Sequence, residues 1–441
     1  MGALPPGPGN RLLATYRTLA KPFEWMPRWR DEYGPVFTLR AMNGDVVMFC
    51  DPEAVKEIFR APVDAFRPFA VETIAPILGS SSLILTSGER HRRDRKLLMP
   101  PFHGERMRAY AEIMRDAAVR EFAAAEGKTT TMRELAQSIS LEVIIRAVFG
   151  VEEAERVRTF ARQIASFTAD FVPALGFFRF LQRDWFPAWR RFRENYERFD
   201  RMLHAQVQRA RERGTGEDIL SLLLSARYED GAPMNDSDIR DQLRTLLMAG
   251  HETTATHLCW TVDNLVREAS PRQKATREAQ AAWGEQGDDA MALAQVPYIE
   301  ACWKEAARLW PQITEVLRTV NRDITIAGVT VPAGAALSPS ILMVHHDPSI
   351  YPEPASYRPE RFMQGRYGPY EFFPFGGGNR RCIGAAFSAF EMQIVLSVLL
   401  ANYEVELLAP RAEPVRSNIV MAPKGGVPLR IRAKSRSEKE N

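Results

Sequence analysis

Apolar and polar residues alternate with a helical period over most of this chain. From about residue 105 to residue 270, apolar positions recur every three or four residues, which indicates a run of helices. Residues 235–237 offer helix caps, so we predict a long helix from there to about Glu268. Further helices are predicted over 297–309, where a proline follows, and after Cys382, where apolar residues again share one face.

Strand-like patterns are confined to short segments. Val36–Arg40 and Val46–Cys50 flank a turn-like sequence and predict a hairpin. Residues 324–331 indicate a small sheet, and the prolines that recur between 345 and 374 indicate a long ordered meander. We therefore predict a mainly α fold with a minor β region, formed as one domain over residues 1–441.

Composition places the chain among folded globular proteins. Of its 441 residues, 45% are hydrophobic and 26% are charged, which excludes wholesale disorder. The formal net charge of +3 gives no overall nucleic-acid signature. The four cysteines lie far apart, without the spacing of a zinc site or a disulfide scaffold, and so favour a reducing compartment.

The sequence also bears on location. Its N-terminus is rich in proline and lacks the apolar core of a signal peptide. The longest strongly apolar run, Ile394–Ala401, is far shorter than the roughly 20 residues that span a bilayer. We expect a soluble, cytoplasmic protein without a transmembrane anchor, and a peripheral membrane contact stays open.

Motifs for phosphoryl transfer and serine hydrolysis are missing from the sequence. Gly127-Lys128-Thr129 resembles the end of a phosphate-binding loop, but Phe122 stands where that loop needs glycine. No GxGxxG sequence follows a strand, and no GxSxG sequence occurs. A nucleotide site, a flavin site and a nucleophilic serine are therefore disfavoured.

The strongest local signal is the segment 375–384, in which a glycine-rich loop delivers one cysteine to the start of a helix. Glycines permit tight turns and close approach to a flat ligand. The helix start, together with Arg380 and Arg381, would favour the thiolate of Cys382 and lower its pKa. The alternative is a buried structural cysteine, but the spacing of these residue types favours a ligand.

This segment resembles the cysteine-ligand loop of the cytochrome P450 family. The family pattern is matched at Phe375, Gly378, Arg380, Cys382 and Gly384. The resemblance implies the cytochrome P450 fold, a triangular helical prism with haem b between the long central helix and the helix after the cysteine. It implies that Cys382 is the axial ligand of the haem iron, a thiolate that favours O–O cleavage, and that Arg380 contacts a haem propionate.

A second motif of the family joins Glu305, Arg308 and Arg361. Glu305 and Arg308 share one helix face, and the simpler reading is a surface ion pair worth about 0–1 kcal/mol. Arg361 follows in the proline-rich meander, as the family pattern requires. By resemblance, the three residues form a structural network that holds the meander near the cysteine loop.

A third motif, Ala249 to Thr254, lies inside the long predicted helix. A glycine followed by paired threonines is unfavourable there, and the hydroxyls can compete for backbone carbonyls. The simpler reading is a tolerated imperfection in a buried helix. By resemblance, Thr253 hydrogen-bonds on the oxygen side and Glu252 is the acid of a proton relay, which suits the two protons that reduced O2 needs. We expect His251 to pack or face a relay water.

A basic segment lies upstream, where His91 and Arg95 share a helical face. A solvated charged face or a nucleic-acid patch is the alternative. The family resemblance assigns both residues to the haem propionates and assigns Arg318 as a third propionate partner. The neighbouring Arg92, Arg93 and Lys96 could face an acidic electron donor.

Together the motifs predict a haem-thiolate monooxygenase that inserts one atom of O2 into a lipophilic small molecule, by hydroxylation or epoxidation. The alternatives are a peroxide-driven peroxygenase, an isomerase or dehydratase on the same fold, and a non-enzymatic haem-based sensor. Because only 59 residues follow Cys382, we expect no fused reductase. Electrons would come from NAD(P)H through a separate reductase and a ferredoxin or flavodoxin, and we expect a monomer that binds no nucleic acid.

The substrate is the least specified part of this prediction. Fatty acid, terpenoid, steroid and macrolide all fit an apolar pocket, and fatty acids or terpenoids are our first expectation. Ordinary core packing is the alternative for many of the same side chains. The residues that we predict to line the pocket are Phe69, Ile74, Ile77, Leu83, Phe171, Leu246, Ala249, Gly250, Ile313 and Val316.

Overall fold

The computed structural model describes residues 4–102, 104, 106–169, 175, 179–284 and 289–435. Helices dominate these ranges, as the apolar periodicity predicts. The α-helices, in chain order, are α1 Arg11–Ala20, α2 Pro22–Tyr33, α3 Pro52–Arg60, α4 Val71–Leu78, α5 Gly88–Leu98, α6 Arg106–Ala125, α7 Met132–Val143, α8 Ala154–Ala169, α9 Pro187–Arg213, α10 Ile219–Ser225, α11 Asp236–Arg267, α12 Ala269–Trp283, α13 Ala290–Leu293, α14 Pro297–Leu309, α15 Ile341–His345, α16 Glu360–Gln364 and α17 Ala385–Asn402.

Short strands form small sheets beside the helices. The strands are β1 Val36–Ala41, β2 Gly44–Phe49, β3 Phe66–Pro68, β4 Thr129–Thr131, β5 Arg318–Val320, β6 Ile324–Ile326, β7 Val329–Val331, β8 Ala336–Pro339, β9 Tyr403–Leu407, β10 Pro414–Ser417, β11 Val420–Pro423 and β12 Pro428–Ala433. A five-stranded sheet has the order β1-β2-β8-β5-β3, in which only β2 and β8 run parallel. A three-stranded sheet has the order β4-β12-β9, and β6-β7 and β10-β11 are hairpins.

The long helix α11 crosses the middle of the molecule. The side chain of Asn235 caps it by accepting a hydrogen bond of 2.8 Å from the backbone N–H of Asp238. It packs against α7, α14 and α17. The predicted helix from 235–237 to about Glu268 is confirmed, and so are the predicted hairpin at 36–50 and the helix over 297–309.

The helix after the cysteine, α17, is apolar along its length. Among the described residues it is the one helix long and apolar enough to cross a membrane, and 72% of it is buried inside the protein. It packs against α6, α12 and α14 within the main helical core. Two smaller apolar cores lie around the five-stranded sheet, which confirms the predicted fold class of helices with a minor β region.

Candidate active site

The cysteine loop ends in a turn that places Cys382 just before α17. The backbone N–H of Cys382 donates to the carbonyl oxygen of Phe375 at 3.0 Å, which closes the loop. The backbone N–H of Gly384 donates to the thiol sulfur. Protein atoms surround the Cys382 side chain, yet it is accessible to solvent, because it faces an open space in the protein.

Two glycines let this loop lie directly on α3. A Cβ on Gly377 would lie 2.3 Å from the ring of Phe59, and a Cβ on Gly378 would lie 2.5 Å from the carbonyl oxygen of Phe59. Gly378 also has a φ of +64°, which a residue with a Cβ rarely adopts. The glycines therefore serve close packing of the loop as well as its turns.

The sequence-based expectation for the thiol pKa is wrong for the protein without a bound cofactor. Burial raises the pKa of Cys382, and this outweighs the Gly384 N–H and the positive charges of Arg95 and Arg381, which lower it. Arg380, which we expected to contribute, is not among the causes; Arg95 takes its place. The donors that favour a thiolate are present, but a further positive charge is needed to offset the burial.

Four cationic or protonatable side chains meet beside the cysteine loop. Burial, and the charges of Arg380, Arg95 and Arg318, lower the pKa of His91 to about 4, so its imidazole is neutral at pH 7 and keeps one N–H donor. Burial and the charge of Arg380 lower the pKa of Arg318 to about 10. Burial and the charge of Arg95 lower the pKa of Arg380 to about 10.

These side chains have no anion of the protein beside them. Among the described residues, no carboxylate forms an ion pair with Arg95, Arg318 or Arg380. The charged groups that act on their pKa are one another, Arg381 and Cys382. Buried cations without counter-charges are costly, so this cluster is suited to an anionic ligand. An accessible thiol beside half-buried arginines and half-buried apolar residues fits haem, which is flat, apolar and dianionic at one edge.

The middle of α11 is less buried than the part of the helix that follows it. Residues 248–253 are half-buried, whereas residues 254–266 are buried. The hydroxyl of Thr253 donates to the carbonyl oxygen of Ala249 at 2.6 Å, the competition for backbone carbonyls that the sequence predicts. A Cβ on Gly250 would lie 3.3 Å from Cδ1 of Ile144, so this glycine lets α11 approach the turn after α7.

The carboxylate of Glu252 is held by three donors from distant parts of the chain. Its Oε1 accepts from Nη2 of Arg133 at 3.2 Å and from Oγ of Ser417 at 3.0 Å, and its Oε2 accepts from Nδ2 of Asn418 at 2.9 Å. Nη2 of Arg133 also donates to Oγ of Ser417 at 2.7 Å. The sequence contains no local signal for these partners.

The neighbouring His251 faces α7. Its pKa is lowered, first by burial, while the charge of Glu252 and a backbone interaction with Gln137 oppose the shift. A half-buried imidazole that favours its neutral form agrees with the expectation that His251 packs or faces a relay water.

The structure brings Glu305, Arg308 and Arg361 together in the protein interior. Nε and Nη2 of Arg308 each donate to Glu305 at 2.8 Å, and Nε of Arg361 donates to Oε1 of Glu305 at 2.9 Å. Nη1 of Arg308 donates to the carbonyl oxygens of His345 and Pro354, both at 2.9 Å. This network ties α14 to the meander that leads to the cysteine loop.

The predicted pocket residues divide by burial. The half-buried ones are Phe69, Ile74, Leu246, Ala249, Gly250, Ile313 and Val316. Ile77 and Leu83 belong to the packed core at 2% and 8% exposure, because the segment that carries them is drawn against α11. Their low exposure agrees with the core-packing alternative, and their place in the substrate pocket stays a prediction. Phe171 lies outside the described residues.

Comparison with known proteins identifies relatives along nearly the whole chain. The family model described as Cytochrome P450 matches residues 4–429. A Mycobacterium tuberculosis protein provisionally named cytochrome P450 135B1 is 32% identical over 98% of this chain and 92% of its own length. Another from that organism, provisionally named cytochrome P450 137, is 35% identical over 91% of this chain and 83% of its own length.

Solved structures share the fold. The retinoic-acid-bound cyanobacterial CYP120A1 superposes with a TM-score of 0.87 at 22% identity, covering 98% of this chain and all of that one. The haem domain of cytochrome P450DA also superposes with a TM-score of 0.87, at 21% identity, covering 99% of both chains. The arrangement of helices and small sheets described above is therefore the arrangement of these proteins.

Proposed function

The chain belongs to the cytochrome P450 family of oxygen-incorporating haem-thiolate monooxygenases, and we propose that it hydroxylates or epoxidises a lipophilic small molecule with electrons from separate redox partners. The observation that carries this proposal is the group of half-buried arginines, without a carboxylate partner among the described residues, beside an accessible cysteine. When bound, haem supplies the reduction and cleavage of O2.

In this proposal, one group of residues holds the iron of haem b and another holds its propionates. Cys382 would ligate the iron. The carbonyl oxygen of Phe375 holds its backbone N–H, and the backbone N–H of Gly384 donates to its sulfur. His91, Arg95, Arg318 and Arg380 would hold the propionates through charge-assisted hydrogen bonds. The neutral imidazole of His91 adds a donor without adding a charge to an already positive cluster.

Glu252 and Thr253 would deliver protons to the oxygen side. The Glu252 carboxylate accepts hydrogen bonds near the tip of the β10–β11 hairpin, where the Arg133 side chain is 34% exposed. Thr253 is the next residue along α11, and its hydroxyl lies on the half-buried face. We infer that Glu252 takes protons from the solvent side and that the Thr253 hydroxyl orients them toward the site.

We propose an apolar substrate, with fatty acids and terpenoid-like or steroid-like molecules as first candidates. The half-buried apolar side chains of Ile74, Leu246, Ile313 and Val316 support this class, because side chains of this kind lose water contact when an apolar ligand binds.

An acidic electron carrier such as a ferredoxin or a flavodoxin is the proposed partner, reduced by NAD(P)H through its own reductase. Arg92, Arg93 and Lys96 lie on the surface of α5 but already pair with Glu89, Asp230 and Glu229. Exposed ion pairs of this kind contribute little and can exchange partners. Arg381 is exposed next to Cys382 and supports a docking surface on this side.

The proposal is tested with the purified protein, a surrogate ferredoxin and its reductase. We expect bound haem b, a red-shifted Soret band in the reduced CO complex, and oxidised product that requires NAD(P)H and O2. Cys382→His should abolish the red-shifted band while some haem stays bound. Product formed from hydrogen peroxide alone would favour a peroxygenase, and bound haem without turnover of any apolar substrate would favour a sensor.

A further inference from the structure

The segment between α4 and α5, residues 79–86, reaches from the central helix to the cysteine loop. We call it the pocket loop. At one end, Nη2 of Arg380 donates to the carbonyl oxygen of Thr86 at 2.6 Å. Its side chains include Ile84, which is apolar and 46% exposed beside the site. The position of this loop therefore sets one wall of the proposed pocket.

Two side chains from one turn of α11 hold the pocket loop by its backbone. Asp241 accepts from the backbone N–H of Ser81 at 3.0 Å. Gln242 accepts from the backbone N–H of Leu83 at 3.0 Å, and its amide N–H donates to the carbonyl oxygen of Ser81. Gln242 thus pairs with the loop as a neighbouring strand would.

Two further contacts join this part of α11 to the pocket loop. One is a hydrogen bond between two hydroxyls, and the other is a close approach of the loop backbone to α11. Oγ1 of Thr245 lies 2.7 Å from Oγ of Ser82. Gly79 has a φ of +91°, and a Cβ there would lie 2.1 Å from the carboxyl carbon of Asp241. Gln242 is 1% exposed and Ser82 is fully buried, so water does not compete for these bonds.

The contact continues to α9 on the far side of the central helix. Arg244, which is 3% exposed, pairs with both Asp241 and Asp200. Its guanidinium also lies over the ring of Tyr196, 4.7 Å from the centroid. Asp241 is therefore fixed from α9, and the pocket loop is fixed through Asp241 and Gln242.

We propose that Gln242 is a specificity-determining positioning residue, which holds the pocket loop against α11 and so limits the size of ligand that the pocket admits. This inference rests on the proposed function, because the space that the loop bounds is the proposed substrate pocket. Gln242 touches neither haem nor substrate in this role. It acts through the backbone of Ser81 and Leu83.

The test compares Gln242→Met with Gln206→Met. Methionine keeps the length and volume of glutamine but makes neither bond to the loop. Gln206 is a matched control, because it is also buried and its amide bridges the carbonyl oxygen of Phe149 and the guanidinium of Arg156, away from the pocket loop. Binding of two azoles of different size, 4-phenylimidazole and clotrimazole, is measured by the shift of the haem Soret band.

We expect Gln242→Met to change the ratio of the two dissociation constants about tenfold in favour of the larger azole, and Gln206→Met to leave it within about twofold. Hydrogen exchange of the backbone amides of Ser81 and Leu83 should become faster in Gln242→Met only. An unchanged azole ratio would overturn the inference, even with faster exchange. If Gln242→Met does not fold, the same ratio is measured in Thr245→Val, which removes the bond to Oγ of Ser82 and the bond within α11 to the carbonyl oxygen of Asp241, and an unchanged ratio again overturns the inference.

A failure of the inference about Gln242 and a failure of the proposed function give different results in this experiment. If the wild-type protein holds haem and binds both azoles, the proposed haem site stands whatever the variants do. If the wild-type protein gives no Soret shift with either azole, the proposed function itself is overturned, and the inference about Gln242 falls with it.

Discussion

The thiol of Cys382 and the arginines beside it are charged or chargeable groups whose charged forms are destabilised by burial until a ligand binds beside them. Burial and mutual repulsion lower the pKa of Arg318 and Arg380 to about 10, and burial raises the pKa of the Cys382 thiol. An anion beside the arginines and a cation beside the sulfur would reverse both effects. The residues of this site are therefore arranged for a ligand that carries both charges.

The first prediction concerns Thr253, whose hydroxyl donates to the carbonyl oxygen of Ala249 at 2.6 Å. Thr253→Ala should change substrate binding little, because it removes only one hydroxyl and one methyl group. Proton delivery should lose its orientation, so product formed per NAD(P)H oxidised should fall about fivefold or more while hydrogen peroxide rises. The measurement is product, peroxide and nicotinamide counted in the same reaction.

Thr261→Ala is the matched control for that experiment. Thr261 lies in the same helix and donates to the carbonyl oxygen of His257 at 2.8 Å, but it is fully buried two turns beyond the half-buried stretch. It should keep the wild-type ratio of product to nicotinamide. Wild-type coupling in Thr253→Ala on a native substrate would remove Thr253 from oxygen activation.

Single residues were predictable from the sequence where their partners are close along the chain. The cysteine loop, the Glu305–Arg308 pair and the helix cap at Asn235 all depend on spacings of ten residues or fewer. The partners of Glu252 were not predictable, because Arg133 and Asn418 are 119 and 166 residues away from it. No sequence pattern records contacts that only the packing of distant elements creates.

At the scale of elements, α17 and α7 enclose a carboxyl group that the proposed mechanism does not use. Glu391 is 1% exposed, and its Oε1 has no hydrogen-bond partner in the part of the chain that the structure describes. Burial raises its pKa to about 8, and the nearby hydroxyl of Ser140 offsets this in part. The folded protein therefore keeps a proton on Glu391 at pH values where the unfolded chain releases it.

The second prediction follows from the sign of that shift. Between about pH 4.5 and pH 8 the folded state binds one proton more than the unfolded state at Glu391, so stability is lost as the pH rises through this window. Glu391→Gln cannot ionise. Its free energy of unfolding, relative to wild type, should therefore increase from pH 5 to pH 9 by on the order of 3 kcal/mol.

Urea unfolding at four or five pH values checks this prediction. Glu404→Gln, at an exposed carboxyl on β9, is the matched control and should give a difference that does not change with pH. If the difference between Glu391→Gln and wild type is equally flat, then Glu391 does not hold its proton in the folded protein.

Helices were easier to predict from the sequence than short strands, for a physical reason. Helices such as α14 begin and end at prolines or caps, which act locally, so the bounds 297–309 were predicted correctly. Strands β3, β5 and β8 were not predicted, since each has only three or four residues and pairs with strands far along the chain. Their pairing depends on the assembled molecule.

At the scale of the whole molecule, one buried ionic network joins the helical core to the irregular meander. Glu305 and Arg308 are fully buried, and Glu305 also accepts from the backbone N–H of Arg358 at 2.9 Å. Arg308 reaches three carbonyl oxygens, those of His345, Pro354 and Ser356. Between α15 and the cysteine loop the meander contains only one short helix, α16, so these donors supply partners that a longer helix or a sheet would otherwise supply.

The last prediction is that Arg308→Lys destabilises the protein by about 3–5 kcal/mol although the charge is kept. A lysine ammonium is a single point of donation, and it cannot both bridge Glu305 in two bonds and reach the meander carbonyls. Arg358→Lys is the matched control: this arginine pairs with Glu353 at the surface, with half of its side chain exposed, and should cost less than about 1 kcal/mol. Urea unfolding gives the free energies, and haem content tests the consequence, because a loosened meander leaves the cysteine loop unsupported. Equal, small losses in both variants would mean that the meander is held by its apolar contacts and that the network is not needed to place Cys382.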